Sequence, residues 1–143
     1  MSPASSPSLL TKNPPRPIFI VDDDPVMADC IKSTLKQALL QQSDQPISLP
    51  EIKIFADAVA TIEATNAQIP GLILLDVLLT GPNGFTLLNE LASYPETAQI
   101  PVALMSSLDL RQFPLAHYNI VRIFTKETMT PAAIAELVQE YYA

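Results

Sequence analysis

Three runs of four uninterrupted apolar residues, each stopping dead at a polar side chain, restrict the folds open to this chain more than any other feature. Ile18-Phe19-Ile20-Val21 stops at Asp22-Asp23, Leu72-Ile73-Leu74-Leu75 stops at Asp76, and Val102-Ala103-Leu104-Met105 stops at Ser106-Ser107. A strand of an exposed sheet alternates apolar and polar residues, whereas one buried on both faces reads as a continuous apolar run. Two weaker β-rich segments, Ile52 to Phe55 and Ile120 to Phe124, complete a set of five.

Helical patterns separate these runs. Asp24-Pro25 is a helix start, with Asp24 as N-cap and Pro25 at the first helical position; Met27, Ile31, Leu35 and Leu39 then recur on one face to about Gln41. A polar connection runs from Gln42 to Pro50. Asp57 is expected to cap a short helix carrying Ala58, Val59 and Ile62, and Asn83 one carrying Phe85, Leu88 and Leu91. A last helix starts at Thr130-Pro131 and shows Ile134, Leu137, Val138 and Tyr141 on one face. Between Leu108 and Asn119, around Pro114, the pattern supports only about one helical turn. Strands alternating with helices predict a doubly wound α/β domain with a five-stranded parallel sheet, whose fourth helix is short or irregular.

Composition narrows the function. With 15 acidic residues against 8 basic ones the net charge is −7, and the clustered cations that phosphate backbones require are missing, so nucleic acid is not an expected partner. No apolar run approaches the roughly 20 residues of a membrane span, and the location is expected to be cytoplasmic. The single cysteine, Cys30, excludes a disulfide framework and is read as a small buried hydrophobe. Residues 1–15 form an expected disordered tail rich in proline and serine, ahead of one domain over 16–143. The sole histidine, His117, is expected on the surface, so any phosphohistidine donor must come from outside.

Ligands of open parallel sheets bind at the carboxyl ends of the strands. Those ends carry Asp22 and Asp23, Asp76, Ser106 and Lys126. Three converging carboxylates repel one another and call for a hard divalent cation such as Mg²⁺. A hydroxyl and an ammonium beside them suit phosphoryl transfer onto a carboxylate. Asp76, following four apolar residues, would be costly there without a partner.

The chain resembles a response-regulator receiver domain of the two-component systems over about Arg16 to Ala143. The likeness rests on Ile18 through Pro25 with its acidic cluster, on Leu74-Leu75-Asp76 with Gly84 eight residues later, on Ser106, and on Thr125-Lys126. It implies a CheY-like (βα)5 fold and a phosphoprotein with Asp76 as phosphoacceptor. It further implies Mg²⁺ held by Asp22, Asp23, Asp76 and the carbonyl of Leu78, with Ser106 as switch hydroxyl and Lys126 as partner of the phosphoryl group. The implied donor is a histidine kinase or a histidine phosphotransfer protein. The implied output is contact with a downstream protein, since the last helix is expected to run almost to Ala143 and leave no output domain. Such a domain is not an enzyme beyond its own phosphorylation and dephosphorylation.

Several positions depart from the family pattern. Glu127 stands where a proline usually follows the lysine, and a cis bond there would cost about 2.5–4 kcal/mol, so a trans peptide is expected. Ile123 stands at the usual switch aromatic, with Phe124 beside it, and Thr80 replaces a proline found again at Pro82. Leu78 and Leu108, each two residues past Asp76 and Ser106, are apolar where side chains flank the attacking water, which predicts slow self-dephosphorylation. These departures keep open a pseudo-receiver, an interaction module that does not use phosphate. A haloacid-dehalogenase-like phosphatase shares the order Asp22-Asp23-Asp24, Ser106, Lys126, but leaves Asp76 unexplained and lacks a further acidic pair after the lysine.

Overall fold

The computed structural model describes residues 15–42, 49–78, 84–107, 109–125 and 127–142. Residues 1–14, Thr80, Pro82, Asn83, Leu108 and Lys126 lie outside them, together with the expectations attached to them.

Five strands form one parallel sheet: β1 (Ile18–Val21), β2 (Ile52–Phe55), β3 (Leu72–Asp76), β4 (Val102–Met105) and β5 (Ile120–Phe124), in the order β2-β1-β3-β4-β5. The helices are α1 (Pro25–Gln42), α2 (Ala58–Ala67), α3 (Gly84–Ala92), a single turn α4 (Pro95–Ala98) and α5 (Pro131–Tyr142). This is the predicted doubly wound α/β domain, with the reversal of strand order falling between β1 and β3.

Alternate strand residues feed two cores. On one face Ile18, Ile20, Leu72 and Leu74 meet Ile31 and Leu35 of α1 and Ile134, Leu137 and Val138 of α5. On the other, Phe19, Val21, Ile73 and Leu75 meet Leu87, Leu88 and Leu91 of α3. Every residue of β1 and every apolar residue of β3 is fully buried, which is why these runs contain no polar residue. β5 lies at the sheet's edge and is only partly covered, so it tolerates Arg122, whose guanidinium pairs with Glu140 of α5 at 2.8 Å.

Helix starts follow the capping signals. The Oδ1 of Asp24 accepts the N–H groups of Val26 (3.0 Å) and Met27 (3.3 Å). That of Asp57 accepts the N–H of Ala60 at 2.8 Å. Among the described residues, the segment between β4 and β5 holds one 3₁₀ turn, Leu110–Gln112, in line with the single turn expected from its sequence. It is fastened to α3 by the stacked rings of Phe85 and Phe113, 5.0 Å apart, and by the Tyr118 hydroxyl on Asn89.

Two expectations are corrected. Cys30 is exposed, because it sits a quarter-turn off the stripe of Ile31 and Leu35 that faces the core. Val59 is exposed as well: α2 buries Ala58, Thr61 and Thr65 instead. The threonine hydroxyls are satisfied within the helix, Thr61 on Asp57 O and Thr65 on Ile62 O, each at 2.8 Å, so their methyl groups can face the core. The turn α4, with Pro95 at its first position, was not expected from periodicity.

Leu74→Ala, in the middle of the sheet, should lower unfolding free energy by about 2–5 kcal/mol, whereas Val59→Ala should change it by no more than about 0.5 kcal/mol. Urea denaturation followed by circular dichroism measures both.

Candidate functional site

Parallel pairing in register brings the ends of the central strands level. Val21 pairs with Leu75 across β1 and β3, so Asp22 and Asp76 leave the sheet side by side. Asp76 in turn pairs with Met105 of β4, and Ser106 follows. The Ser106 N–H is held by Phe124 O of β5 at 2.9 Å. Thus the order of strands, rather than proximity in sequence, assembles the group.

Carboxylate oxygens of Asp22, Asp23 and Asp76 lie within 4.8 Å of one another. Asp22 is buried, and its Oδ1 accepts the Asp24 N–H at 2.9 Å. The Leu78 N–H donates to Oδ1 of Asp76 at 2.9 Å, which holds that carboxylate against the loop after β3. Leu78 itself is half-exposed. A cavity of about 130 Å³ opens here, lined by Asp22, Asp76, Leu78, Ser106, Ser107, Thr125 and three methionines, Met27, Met105 and Met129. The structure therefore brings together Asp22, Asp23, Asp76, Leu78 and Ser106 of the expected site, and Thr125, the neighbour of Lys126, reaches the same cavity.

Sequence reasoning named Met27, Met105 and Thr125 without placing their side chains in the site, and it passed over Met129. The signal for Met27 was present, in its place on the first turn of α1 directly after the acidic cluster. Nothing local marked Met129 before the packing of α1 against α5 brought the two together. Asp24 and Asp57 act as caps. His117 is exposed, as expected of it.

Gly84 closes the loop after β3. Its N–H reaches Val77 O at 3.1 Å, and a Cβ there would lie 2.7 Å from Val77 Cα and 3.1 Å from Asp76 O. Only a residue without a side chain lets α3 start this close to the strand end that carries Asp76.

Burial raises the Asp22 carboxyl above the ordinary aspartate value; the Asp24 N–H opposes the shift, while the charges of Asp76, Asp24 and Asp23 add to it. An acid whose folded pKa is raised binds its proton more tightly in the folded chain. Its stabilising effect is complete below the unfolded value and is lost as pH rises through the folded one. At neutral pH the ionised group is therefore a net cost in metal-free protein. Oxygen donors that lie this close and repel one another are of the kind that suits a hard divalent cation.

In chelator, Asp22→Asn should raise the melting temperature at pH 7, since the amide oxygen can keep the Asp24 N–H. The gain should shrink as pH falls below the usual carboxyl range; a gain independent of pH would contradict the assignment. Gly84→Ala should cost about 1–3 kcal/mol and shift the amide resonances of Asp76 and Val77.

Comparison with known proteins agrees with this geometry. The chain matches the family model of the response regulator receiver domain over residues 18–138. Response regulator PleD of Caulobacter vibrioides is 36% identical over 61 residues, which are 43% of this chain and only 13% of that protein. The signal receiver domain of a DNA-binding response regulator (merR) from Colwellia psychrerythraea 34H superposes with a TM-score of 0.71 at 22% identity, over 87% of this chain and 97% of that one. The receiver domain of the sensor histidine kinase PA1611 from Pseudomonas aeruginosa PAO1, which has a magnesium ion coordinated in its active site cleft, gives 0.68 at 16% identity, over 89% and 97%. These structures share the fold. With five parallel strands in the order found here and an acidic cluster at the switch point, the chain belongs to the response regulator receiver domain family.

Proposed function

We propose that this protein is a response regulator that accepts a phosphoryl group on Asp76 from a histidine kinase or histidine phosphotransfer protein, in the cytoplasm and with Mg²⁺. The observation that carries the proposal is the convergence of the Asp22, Asp23 and Asp76 carboxylates within 4.8 Å at the carboxyl edge of the sheet. Asp22 and Asp23, with Asp76 and the Leu78 carbonyl, would hold the cation. When bound, it would offset the charge of the carboxylates and of the incoming phosphoryl oxygens.

The remaining steps fall to the chain. The Leu78 N–H orients the Asp76 carboxylate. A carboxylate oxygen attacks phosphorus in line, the P–O bond forms as the P–N bond to the donor imidazole breaks, and the imidazole leaves with a proton. The Ser106 hydroxyl and the Lys126 ammonium would stabilise phosphoryl oxygens. Chemistry beyond self-phosphorylation and self-dephosphorylation is not part of the proposal. The added charge would be read by a downstream protein, at the face formed by β4, β5 and α5.

A second reading, a receiver that signals without phosphate, draws on one observation. Ile123 is half-exposed on β5, while its aromatic neighbour Phe124 is buried in the core beneath α1 and α5. No aromatic ring on β5 is thus placed to change rotamer at the surface in response to Ser106.

Incubation with acetyl phosphate and Mg²⁺, followed by intact mass spectrometry, separates the two. Wild type should gain one phosphoryl group, and Asp76→Asn or chelated wild type none. An unlabelled wild type would favour the phosphate-independent module. The apolar Leu78 cannot orient an attacking water, so the phosphorylated form should decay slowly, over minutes or longer. Leu78→Asn should shorten its lifetime several-fold, and loss of wild-type label within seconds would refute the slow decay.

A further inference from the structure

The chain has four methionines, and all three among the described residues line the one cavity above Asp76. Met105 is buried at the end of β4. Met27 and Met129 are only partly buried, pack against the same core cluster, and approach the cavity from α1 and from the segment leading into α5. Their positions are backbone-anchored: the Met27 N–H donates to Asp24 Oδ1 at 3.3 Å and the Met129 N–H to Thr125 O at 3.0 Å. Leucine would supply a similar apolar wall. Methionine adds a sulfur that oxidants reach when it is partly exposed, with a large change in polarity.

We propose that Met27 and Met129 form an oxidation site that couples peroxide to the phosphoacceptor pocket, so that their sulfoxides slow phosphorylation of Asp76. The inference rests on the phosphoacceptor reading of Asp76. In the reaction a thioether lone pair attacks one peroxide oxygen and forms the S–O bond as the O–O bond breaks, and the rest of the peroxide leaves as water. Sulfur loses two electrons and the peroxide gains them. The product carries a partially negative oxygen that must be hydrogen-bonded or hydrated. Set in the wall of a cavity that already holds the Asp22 and Asp76 carboxylates, such an oxygen opposes the arrival of an anionic phosphoryl group. Its hydration also draws Met27 and Met129 out of the seam between α1 and α5. Reduction of the sulfoxides by methionine sulfoxide reductases makes the change reversible.

The test uses the full chain with Cys30→Ser, because the exposed thiol is a second target for peroxide. Hydrogen peroxide should add about 16 Da per oxidised methionine, with peptide mapping placing the oxygens on Met27 and Met129 ahead of Met105. Labelling by acetyl phosphate should then fall roughly 5–30-fold relative to the untreated sample and recover after reductase treatment. The Met27→Leu/Met129→Leu protein, compared with its own untreated sample, should be indifferent to peroxide. Unchanged labelling after oxidation at both positions would overturn the inference, as would an equal loss in the double-leucine protein. If untreated protein takes up no label, the phosphoacceptor reading itself fails. Oxidation must then be seen in the Mg²⁺-dependent amide shifts of residues 76–78 and 105–107, and identical shifts before and after peroxide would overturn the inference.

Discussion

β1 and β3 lie side by side, buried on both faces from Ile18 to Val21 and from Leu72 to Leu75, and their parallel register ends both apolar runs at one level. The rest of the molecule depends on that constraint. Each run offers hydrophobic stabilisation on the order of 2 kcal/mol per fully buried side chain, but only while α1 and α5 cover one face and α2 and α3 the other. A slip of one residue would exchange the two faces of a strand and carry Asp22 or Asp76 into a core with no partner. The burial that stabilises the sheet is thus also what aligns the carboxylates.

The site has a cost that the core must cover. Asp22 is buried beside two further carboxylates, and its proton affinity is raised as a result. Backbone groups limit the penalty: the Asp24 N–H serves Asp22 and the Leu78 N–H serves Asp76. Asp24, two residues after Asp22, caps α1. The remaining repulsion is of the kind that a divalent cation would relieve. Gly84 belongs to the same economy of space, since it lets α3 begin in contact with the strand end that bears Asp76.

Between β4 and β5 the fold is held by specific contacts instead of a full helix. The Phe85–Phe113 stack and the Tyr118–Asn89 hydrogen bond tie this segment to α3, whose first turn follows the Asp76 loop. On the neighbouring strand the aromatic ring of Phe124 is turned inward and the aliphatic side chain of Ile123 outward. No aromatic side chain on β5 is therefore placed to swing between two rotamers at this face.

The elements whose own residues satisfy their needs were legible in sequence: the doubly buried runs of β1, β3 and β4, the caps Asp24 and Asp57, and the single turn near Leu110. So was the set Asp22, Asp23, Asp76 and Ser106, because polar residues at the ends of buried parallel strands have few structural uses. Where a residue's state depends on which side of a helix meets a neighbour, local pattern was insufficient. Cys30 and Val59 turned outward, and Thr61 and Thr65 inward, because the rotation of each helix on the sheet decides which side meets the core, and the threonine hydroxyls are paired within the helix. Periodicity likewise has no means of showing that Met27 and Met129, a hundred residues apart, wall one cavity. Sequence alone determined which strand residues must leave water and where those strands must stop. Only the tertiary structure decided which of those stops share a pocket, because strand order and helix packing are set by contacts between segments far apart in the chain.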